Sequence, residues 1–428
     1  MNPIENIYRH YCIAGKVTTD SRKVDKNAVF FALKGEHFDG NDFALDTAKK
    51  GEASLVVCDR NDIPDHERIV KVDNALTALQ ELAVMHRNNM TARVLSITGT
   101  NGKTTTKELV ASVLRQSYHI IHTEGNLNNH IGVPLTLLNI KPETQIAIVE
   151  MGANHPKEIE TLARLARPDY GIITNIGKAH LEGFGGFEGV VKTKNELYCY
   201  LREHNGTAFV NIENPLLIKL SADLKRYTYG ANSQADYCIE RQSCNPFLSV
   251  KYKGQTIQTR LVGDYNFENV AAAIAVGLHF EVPEQKTVTA LEAYEPSNNR
   301  SQVIQTAANR IIMDAYNANP VSMQAAIRNF KTICSEKNLL VLGDMRELGK
   351  DSDMEHHTIL QLIETLGFKQ AFLVGPEFSK ICSSSCYQTF ETVEALCQHI
   401  ENHPVSGHDI LIKGSRGIRL EKTLPYFQ

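Results

Sequence analysis

A chain of 428 residues exceeds what one hydrophobic core usually serves, so two or three domains are expected. Hydrophobic residues make up 42% and charged residues 22%, an ordinary globular composition, and a formal net charge of -4 gives no reason to expect nucleic acid or an acidic membrane as partner. The segment from Met1 to Tyr11 carries Glu5 and Arg9 and lacks an apolar core, so no signal peptide is expected. The most apolar stretch, Val270 to Leu278, is too short to span a bilayer; the expectation is a cytoplasmic chain without membrane insertion. Nine scattered cysteines include no C-x-x-C pair, and the closest two, Cys382 and Cys386, are separated by three serines. Free thiols fit this spacing better than a disulfide or zinc framework.

Short apolar runs alternate with helical patterns almost throughout, which predicts an α/β fold with mostly parallel sheets. In a first block, Ala28–Leu33, Leu55–Cys58 and Ile69–Val72 read as strands and Leu76 to Arg87 as a helix, with a polar linker at Asn88–Thr91. A second block has strands at Val94–Thr98, Ile146–Val149, Gly171–Thr174 and Thr207–Val210. Its segment Tyr227 to Val262 reads as an antiparallel insert, and an alanine-rich helix follows at Val270–Leu278. Beyond a polar boundary at Glu295–Asn299, the third block alternates strands (Arg310–Met313, Leu339–Leu342, Ala371–Val374, Ile410–Ile412) with helices (Ser322–Lys331, Glu355–Leu366, Glu391–Glu401), a Rossmann-like order. Three domains are therefore expected: residues 1–88, an N-terminal α/β domain; 89–299, a central P-loop mononucleotide-binding parallel sheet; and 300–428, a Rossmann-like C-terminal domain.

The strand Val94–Thr98 ends in Gly99-Thr-Asn-Gly-Lys-Thr-Thr105 and leads into a helical stretch, Thr106 to Leu114. This is a shortened P-loop in the strand–loop–helix setting that the motif requires. Gly99 and Gly102 let the backbone curl so that its N–H groups, from Thr100 and Asn101 through Thr105, face an anion, and the helix N-terminus adds its positive dipole end. Lys103 can reach the β- and γ-phosphates of ATP, and the Thr104 hydroxyl can ligate Mg²⁺. No N-K-x-D guanine motif accompanies the loop, which argues against a GTPase.

Ile146 to Val149 is an apolar strand closed by Glu150. The carboxyl ends of parallel strands line the ligand crevice, where a carboxylate is a hard oxygen ligand for Mg²⁺. The next strand leads through Asn175-Ile-Gly-Lys-Ala to His180, by itself an ordinary hydrogen-bonded loop residue, but a candidate ligand beside Thr104 and Glu150. Val190 to Tyr198 reads as a helix on which Lys192 and Lys194, by spacing alone, are surface lysines.

These motifs, with Asn-Leu-Asn-Asn-His-Ile-Gly-Val-Pro at 126–134, Glu-Met-Gly-Ala at 150–153, Asn-Ile-Gly-Lys-Ala-His-Leu-Glu-Gly-Phe at 175–184 and Lys-Asn-Glu at 194–196, resemble the Mur ligases. So do Thr-Asp-Ser-Arg at 19–22, Asp-Ala-Tyr-Asn-Ala-Asn-Pro at 314–320, Gly-Asp-Met-Arg-Glu-Leu-Gly at 343–349 and Lys-Gly-Ser-Arg at 413–416, in order through all three blocks. The resemblance implies an ATP-dependent amide ligase working on the UDP-linked muramyl precursor of peptidoglycan. The Tyr-Asn-Ala-Asn-Pro segment points to the step that adds D-alanyl-D-alanine to the UDP-muramyl-tripeptide, and the Asp-Asn-Pro-Arg motif of the sibling that adds the third residue is absent.

What the resemblance implies extends to individual residues. Thr104, Glu150 and His180 hold Mg²⁺ around ATP, and Lys194 is carbamylated, its carbamate serving a second Mg²⁺; Lys103, Lys194, His180 and Glu150 are the catalytic group. Asn269 contacts adenine, and Arg300 and Asp314 reach ATP from the third domain. Tyr265 stands where the family has histidine, and Met313 replaces the first of two aspartates. Ser21 and Arg22 contact the uridine diphosphate, although Thr-Asp-Ser-Arg alone reads as a turn, with Asn128 and Asn129 nearer the sugar and pyrophosphate. Tyr316, Asn317 and Asn319 orient the dipeptide. A monomer acting on small-molecule substrates is expected. The rival readings are another ligase of the superfamily, such as a folylpolyglutamate-forming enzyme, and a silent scaffold that kept the loop.

Overall fold

The computed structural model describes residues 2–382 and 386–428, so the three serines between Cys382 and Cys386 lie outside the described residues. Among the described residues four sheets form, and no disulfide joins the cysteines. The first sheet is parallel, in the order β1 (Val17–Thr18), β2 (Val29–Phe31), β3 (Leu55–Cys58), β4 (Ile69–Lys71). Beside it runs the helix Ala75–Asn88, capped by Asn74, whose Oδ1 accepts from the Thr77 N–H at 2.8 Å.

The central sheet contains β5 (Arg93–Thr98), β6 (Ile120–His122), β7 (Ile146–Glu150), β8 (Tyr170–Ile173), β9 (Thr207–Asn211), β10 (Lys225–Gly230) and β11 (Tyr237–Cys238), all parallel, in the order β11-β10-β9-β8-β5-β7-β6. Side chains alternate across it: Val94, Ala147 and Val149 enter the core on one face, and Leu95, Ile97, Ile146 and Ile148 that on the other. Burial on both faces is why these strands read as unbroken apolar runs. The antiparallel insert is smaller than expected. Only β12 (Glu240–Cys244), β13 (Phe247–Tyr252) and β14 (Gln255–Val262) pair that way, whereas β10 and β11 extend the parallel sheet. Both strands are only partly buried, β11 being the sheet's edge and β10 its neighbour, and a strand has the same side-chain period whichever way it pairs.

The third sheet runs β15-β16-β20-β17-β18-β19, with β15 (Gln302–Gln305) antiparallel and β16 (Arg310–Asp314), β17 (Asn338–Gly343), β18 (Ala371–Val374), β19 (Tyr387–Phe390) and β20 (Asp409–Lys413) parallel. The linker before it has left-handed backbone at Asn298 and Asn299 (φ 58° each) and Ser301 (φ 49°).

The first and central sheets share one core: Ile7, Tyr11, Phe31 and Leu82 belong to the same apolar cluster as Val133, Leu137 and Ile159. At that joint lies His86. Its Nε2 is 2.7 Å from the Ile140 carbonyl and its ring stands edge-on to Tyr11 at 5.0 Å. Burial holds the His86 pKa below the usual imidazole range. The folded state therefore binds fewer protons here than the unfolded chain, and stability falls as pH drops through the ordinary imidazole range. Thermal melts between pH 7.5 and 5 are expected to show this loss, and His86→Leu is expected to shrink the slope.

Candidate active site

The central strand order reverses around β5: the chain passes from it to the edge at β6, returns beside it at β7, then crosses to β8 on the other side. At such a switch point the loops leaving the strand ends diverge and open a crevice. The loop after β5, Glu150 ending β7 and the segment 174–177 after β8 converge there, at a cavity of about 1150 Å³ whose far wall is the third sheet.

The loop is braced from β8. Thr100 N–H donates to the Asn175 carbonyl at 2.9 Å, Asn101 N–H to Asn175 Oδ1 at 2.9 Å, and Thr174 Oγ1 to the Asn101 carbonyl at 2.6 Å. Gly99 and Gly102 have φ of 143° and 78°. A Cβ at Gly99 would lie 2.0 Å from Thr174 Oγ1, and one at Gly102 2.4 Å from Asn269 Oδ1, so backbone can approach where no side chain fits. The helix begins at Lys103, three residues before the expected Thr106, which puts Lys103 and Thr104 in its first turn.

Lys103 Nζ donates to the carbonyls of Gly99 (2.8 Å) and Thr100 (3.0 Å). Burial pushes its pKa down to about 8, with Glu150 opposing the shift and Arg300 adding to it. Thr104 Oγ1 touches both oxygens of Glu150, at 3.1 and 2.9 Å, and Asn128 Nδ2 donates to Glu150 Oε1 at 2.8 Å. Beneath them Lys107, fully buried, reaches the Thr123 carbonyl (2.6 Å), Glu108 (2.9 Å) and Glu150 (3.9 Å).

His180 (φ 50°) lines the cavity and pairs through Nδ1 with Glu347 of the third unit, whose carboxyl it holds below the usual range. On the helix Phe187–Glu203, Lys192 is the surface lysine that the spacing suggested, and Lys194 is not. Lys194 is 2% exposed, contributes no surface to the cavity and sits 5.4 Å over the Phe184 ring. Burial first, then the Lys103 ammonium, lowers its pKa to about 7.

The other expected residues divide. Thr105, Asn128, Asn129, Asn269, Arg300, Asp314, Tyr316, Asn317 and Asn319 all face the one cavity. Ser21 and Arg22 do not. They form an exposed 3₁₀ turn in the first unit, where the Arg22 guanidinium is already forked onto Asp20 at 2.9 and 3.0 Å. Asn129 Oδ1 also accepts from the Ile131 and Gly132 N–H groups, at the start of the short helix Gly132–Leu137. The Asn269 amide is engaged with Thr106 (3.0 Å) and Asn266 (2.8 Å). The Arg300 guanidinium carbon stands 3.6 Å over the Tyr316 ring, with its Nε unpartnered. Asp314 accepts from Ser301 N–H (3.1 Å) and pairs with Lys413 (2.6 Å), while Met313 turns into the core below. Sequence reasoning assigned no role to Lys107, Arg346, Lys413 or Arg416, although the last three lie inside quoted motifs and Lys107 lies one helical turn past Lys103.

A glycine-rich phosphate loop facing a second Rossmann-like sheet across one crevice defines an α/β nucleotide-dependent enzyme, and this chain belongs to the Mur ligase family. Residues 15–92 match the Mur ligase family catalytic domain, 97–277 the Mur ligase middle domain, and 299–416 the Mur ligase, glutamate ligase domain. The chain is 35% identical to a UDP-N-acetylmuramoyl-tripeptide–D-alanyl-D-alanine ligase of Bacillus subtilis, over 95% of this chain and 91% of that one. It is 34% identical to the Escherichia coli ligase of the same name, over 96% and 93%. In structure it is similar to MurF from Acinetobacter baumannii (TM-score 0.84, 30% identity, 96% and 93% covered) and to a MurF ligase from Thermotoga maritima in complex with ADP (TM-score 0.85, 26% identity, 97% of each covered).

Asn319 has two duties that substitution can separate. Its Oδ1 caps the helix Pro320–Ile333 by accepting from Ser322 N–H (2.9 Å), and its Nδ2 donates across the cavity to Asn101 Oδ1 at 2.7 Å. Asn319→Ala is expected to cost about 1 kcal/mol in equilibrium unfolding through the lost cap. Asn319→Asp keeps the cap and loses only the bridging donor, so its unfolding midpoint should stay near the parent's while nucleotide-loop coupling weakens.

Proposed function

We propose that the chain is an ATP-dependent amide ligase that adds D-alanyl-D-alanine to UDP-N-acetylmuramoyl-tripeptide in peptidoglycan precursor synthesis. The observation that carries this reading is the single cavity: a phosphate loop with Lys103 on one side faces Tyr316, Asn317 and Asn319 on the other. A carboxylate activated at the first wall thus meets an amine held at the second. Near-full-length identity to ligases of that name supports the same reaction. Residues 1–88 would carry the UDP end through Ser21 and Arg22, residues 89–299 ATP, and residues 300–428 the dipeptide. The protein is expected to act as a cytoplasmic monomer; among the described residues no helix is long and apolar enough to cross a membrane.

The tripeptide's terminal carboxylate attacks the γ-phosphorus of ATP, giving an acyl phosphate and ADP. The dipeptide amine then attacks the acyl carbon, and the tetrahedral intermediate expels phosphate. The Thr100 and Asn101 N–H groups are taken by Asn175, so it is Gly102 to Thr105 that present backbone N–H groups, with the Lys103 ammonium, to the phosphates, and two anions can approach. Asn269 lies where it can meet adenine, and Arg300 and Asp314 bring the third unit against the nucleotide. Asn128 and Asn129 line the path of the sugar–pyrophosphate.

The residues present suit magnesium. The Thr104 hydroxyl and Glu150 carboxylate already touch, a hard oxygen pair, and His180 opens on the same cavity. Bound Mg²⁺ supplies charge neutralisation of the phosphoryl oxygens. Lys194 suits carbamylation, because a buried amine with a pKa of about 7 is largely neutral above that pH and therefore nucleophilic toward CO₂.

Release of phosphate from ATP should require both UDP-muramyl-tripeptide and D-alanyl-D-alanine. Release independent of the dipeptide would defeat the assignment. Lys194→Ala should abolish ligation while ATP still binds, with partial recovery when a short-chain carboxylic acid is added; undiminished turnover would exclude the carbamate.

A further inference from the structure

On the central wall of the cavity one residue combines a strained backbone with a charge that the protein leaves unpaired. Lys157 opens the helix Glu158–Ala166 with φ 67°, in the left-handed region that glycine enters freely and lysine does not. Backbone strain of this kind gathers at sites where function dictates the residue. Lys157 is exposed and lines the cavity.

The acids beside it are committed to backbone. Glu158 accepts from Asn154 N–H (2.6 Å) and His155 N–H (2.9 Å), and Glu196 accepts from Lys157 N–H and Glu160 N–H at 2.9 Å each. The one ion pair of Glu158 among the described residues is with His155, at 3.7 Å, and none there includes the Lys157 ammonium.

Two connections place this charge. Lys157 lies on the segment that leads from Glu150, at the end of β7, into its helix, and its own N–H is held by Glu196 from the helix turn that carries Lys194. It therefore stands beside the corner of the cavity where the proposed reaction puts the tripeptide's terminal carboxylate. The third residue of the acceptor is anchored there by its reacting carboxyl, so its side chain leaves along the same wall. In a diamino-dicarboxylic residue the second carboxyl carbon lies about 6 Å from the reacting end's Cα, five bonds on, within reach of a lysine stem growing from that wall. A side chain ending in an ammonium alone meets a like charge at Lys157, whereas one ending in ammonium and carboxylate together meets a partner.

We propose that Lys157 binds the side-chain carboxylate of the acceptor's third residue, and so selects a tripeptide ending in a dicarboxylic amino acid over one ending in lysine. This rests on the ligase reading above.

The test compares UDP-muramyl-tripeptides ending in diaminopimelate and in lysine, at saturating ATP and D-alanyl-D-alanine. The parent protein should favour the diaminopimelyl acceptor by about tenfold in kcat/KM, the low end for a charge-assisted hydrogen bond at an exposed group. Lys157→Gly should raise KM for that acceptor and bring the two acceptors within about threefold. Glycine takes φ 67° freely, so the same variant should unfold at or above the parent's temperature, which separates lost recognition from lost folding. Lys157→Arg keeps the charge and should keep the preference. Equal use of both acceptors by the parent overturns the proposal, as does a preference that survives in Lys157→Gly or one lost as fully in Lys157→Arg. Failure of the parent to ligate either acceptor would instead overturn the ligase reading itself.

Discussion

A carboxylate that is 1% exposed needs hydrogen-bond donors around it, and Glu150 is the point at which this chain meets that requirement. Its oxygens receive the Thr104 hydroxyl and the Asn128 amide, and the Lys107 ammonium stands 3.9 Å away. These donors come from the first turn and a half of one helix and from the loop after β6, so the acid fixes three segments at once. Removing one partner of a buried, paired charge costs several kcal/mol, typically about 3–5, so the geometry at the foot of the phosphate loop is tightly determined. The loop, its glycines and the placement of Lys103 follow from that anchor.

The anchor exists because strand order reverses at β5. Only there do loops from β5, β7 and β8 part and leave room between them, and only there can Glu150 end a buried strand yet face a cavity. The first unit supports this from behind through a continuous apolar core, each large buried side chain contributing about 1.5–3 kcal/mol. The third unit meets it differently. Apart from Val262 and Phe247, which join its apolar core, its contacts include polar ones: Lys178 with Glu355 at 3.1 Å, His180 with Glu347, and Asn319 with Asn101 at 2.7 Å. Hydrogen bonds of this kind each contribute only about 0.5–1.5 kcal/mol net.

The parallel strands were legible because burial on both faces leaves an unbroken β-branched signature, as in β5 and β7, and the phosphate loop because glycine, lysine and threonine at that offset serve no common packing purpose. Lys194 was not legible from spacing. A lysine two residues from the surface-exposed Lys192 on a helix points about 200° away from it, and only the fold tells which of the two faces inward. Arg22 shows the opposite limit: its motif is plain, yet the guanidinium is turned onto Asp20 and away from the cavity. Strands β10 and β11, at one end of the central sheet, were misassigned because alternation reports half-burial and carries no information about direction.

Asn319 spends its two ends on different masters, the oxygen on its own helix and the nitrogen on Asn101. Breaking the second bond leaves the first intact, so the contact with the loop can be lost without the lead helix losing its cap. The connector between the two units holds three residues with left-handed backbone, Asn298, Asn299 and Ser301. The cap of that helix is thus independent of the contact with the loop, just as the core shared by the first and central sheets is independent of both.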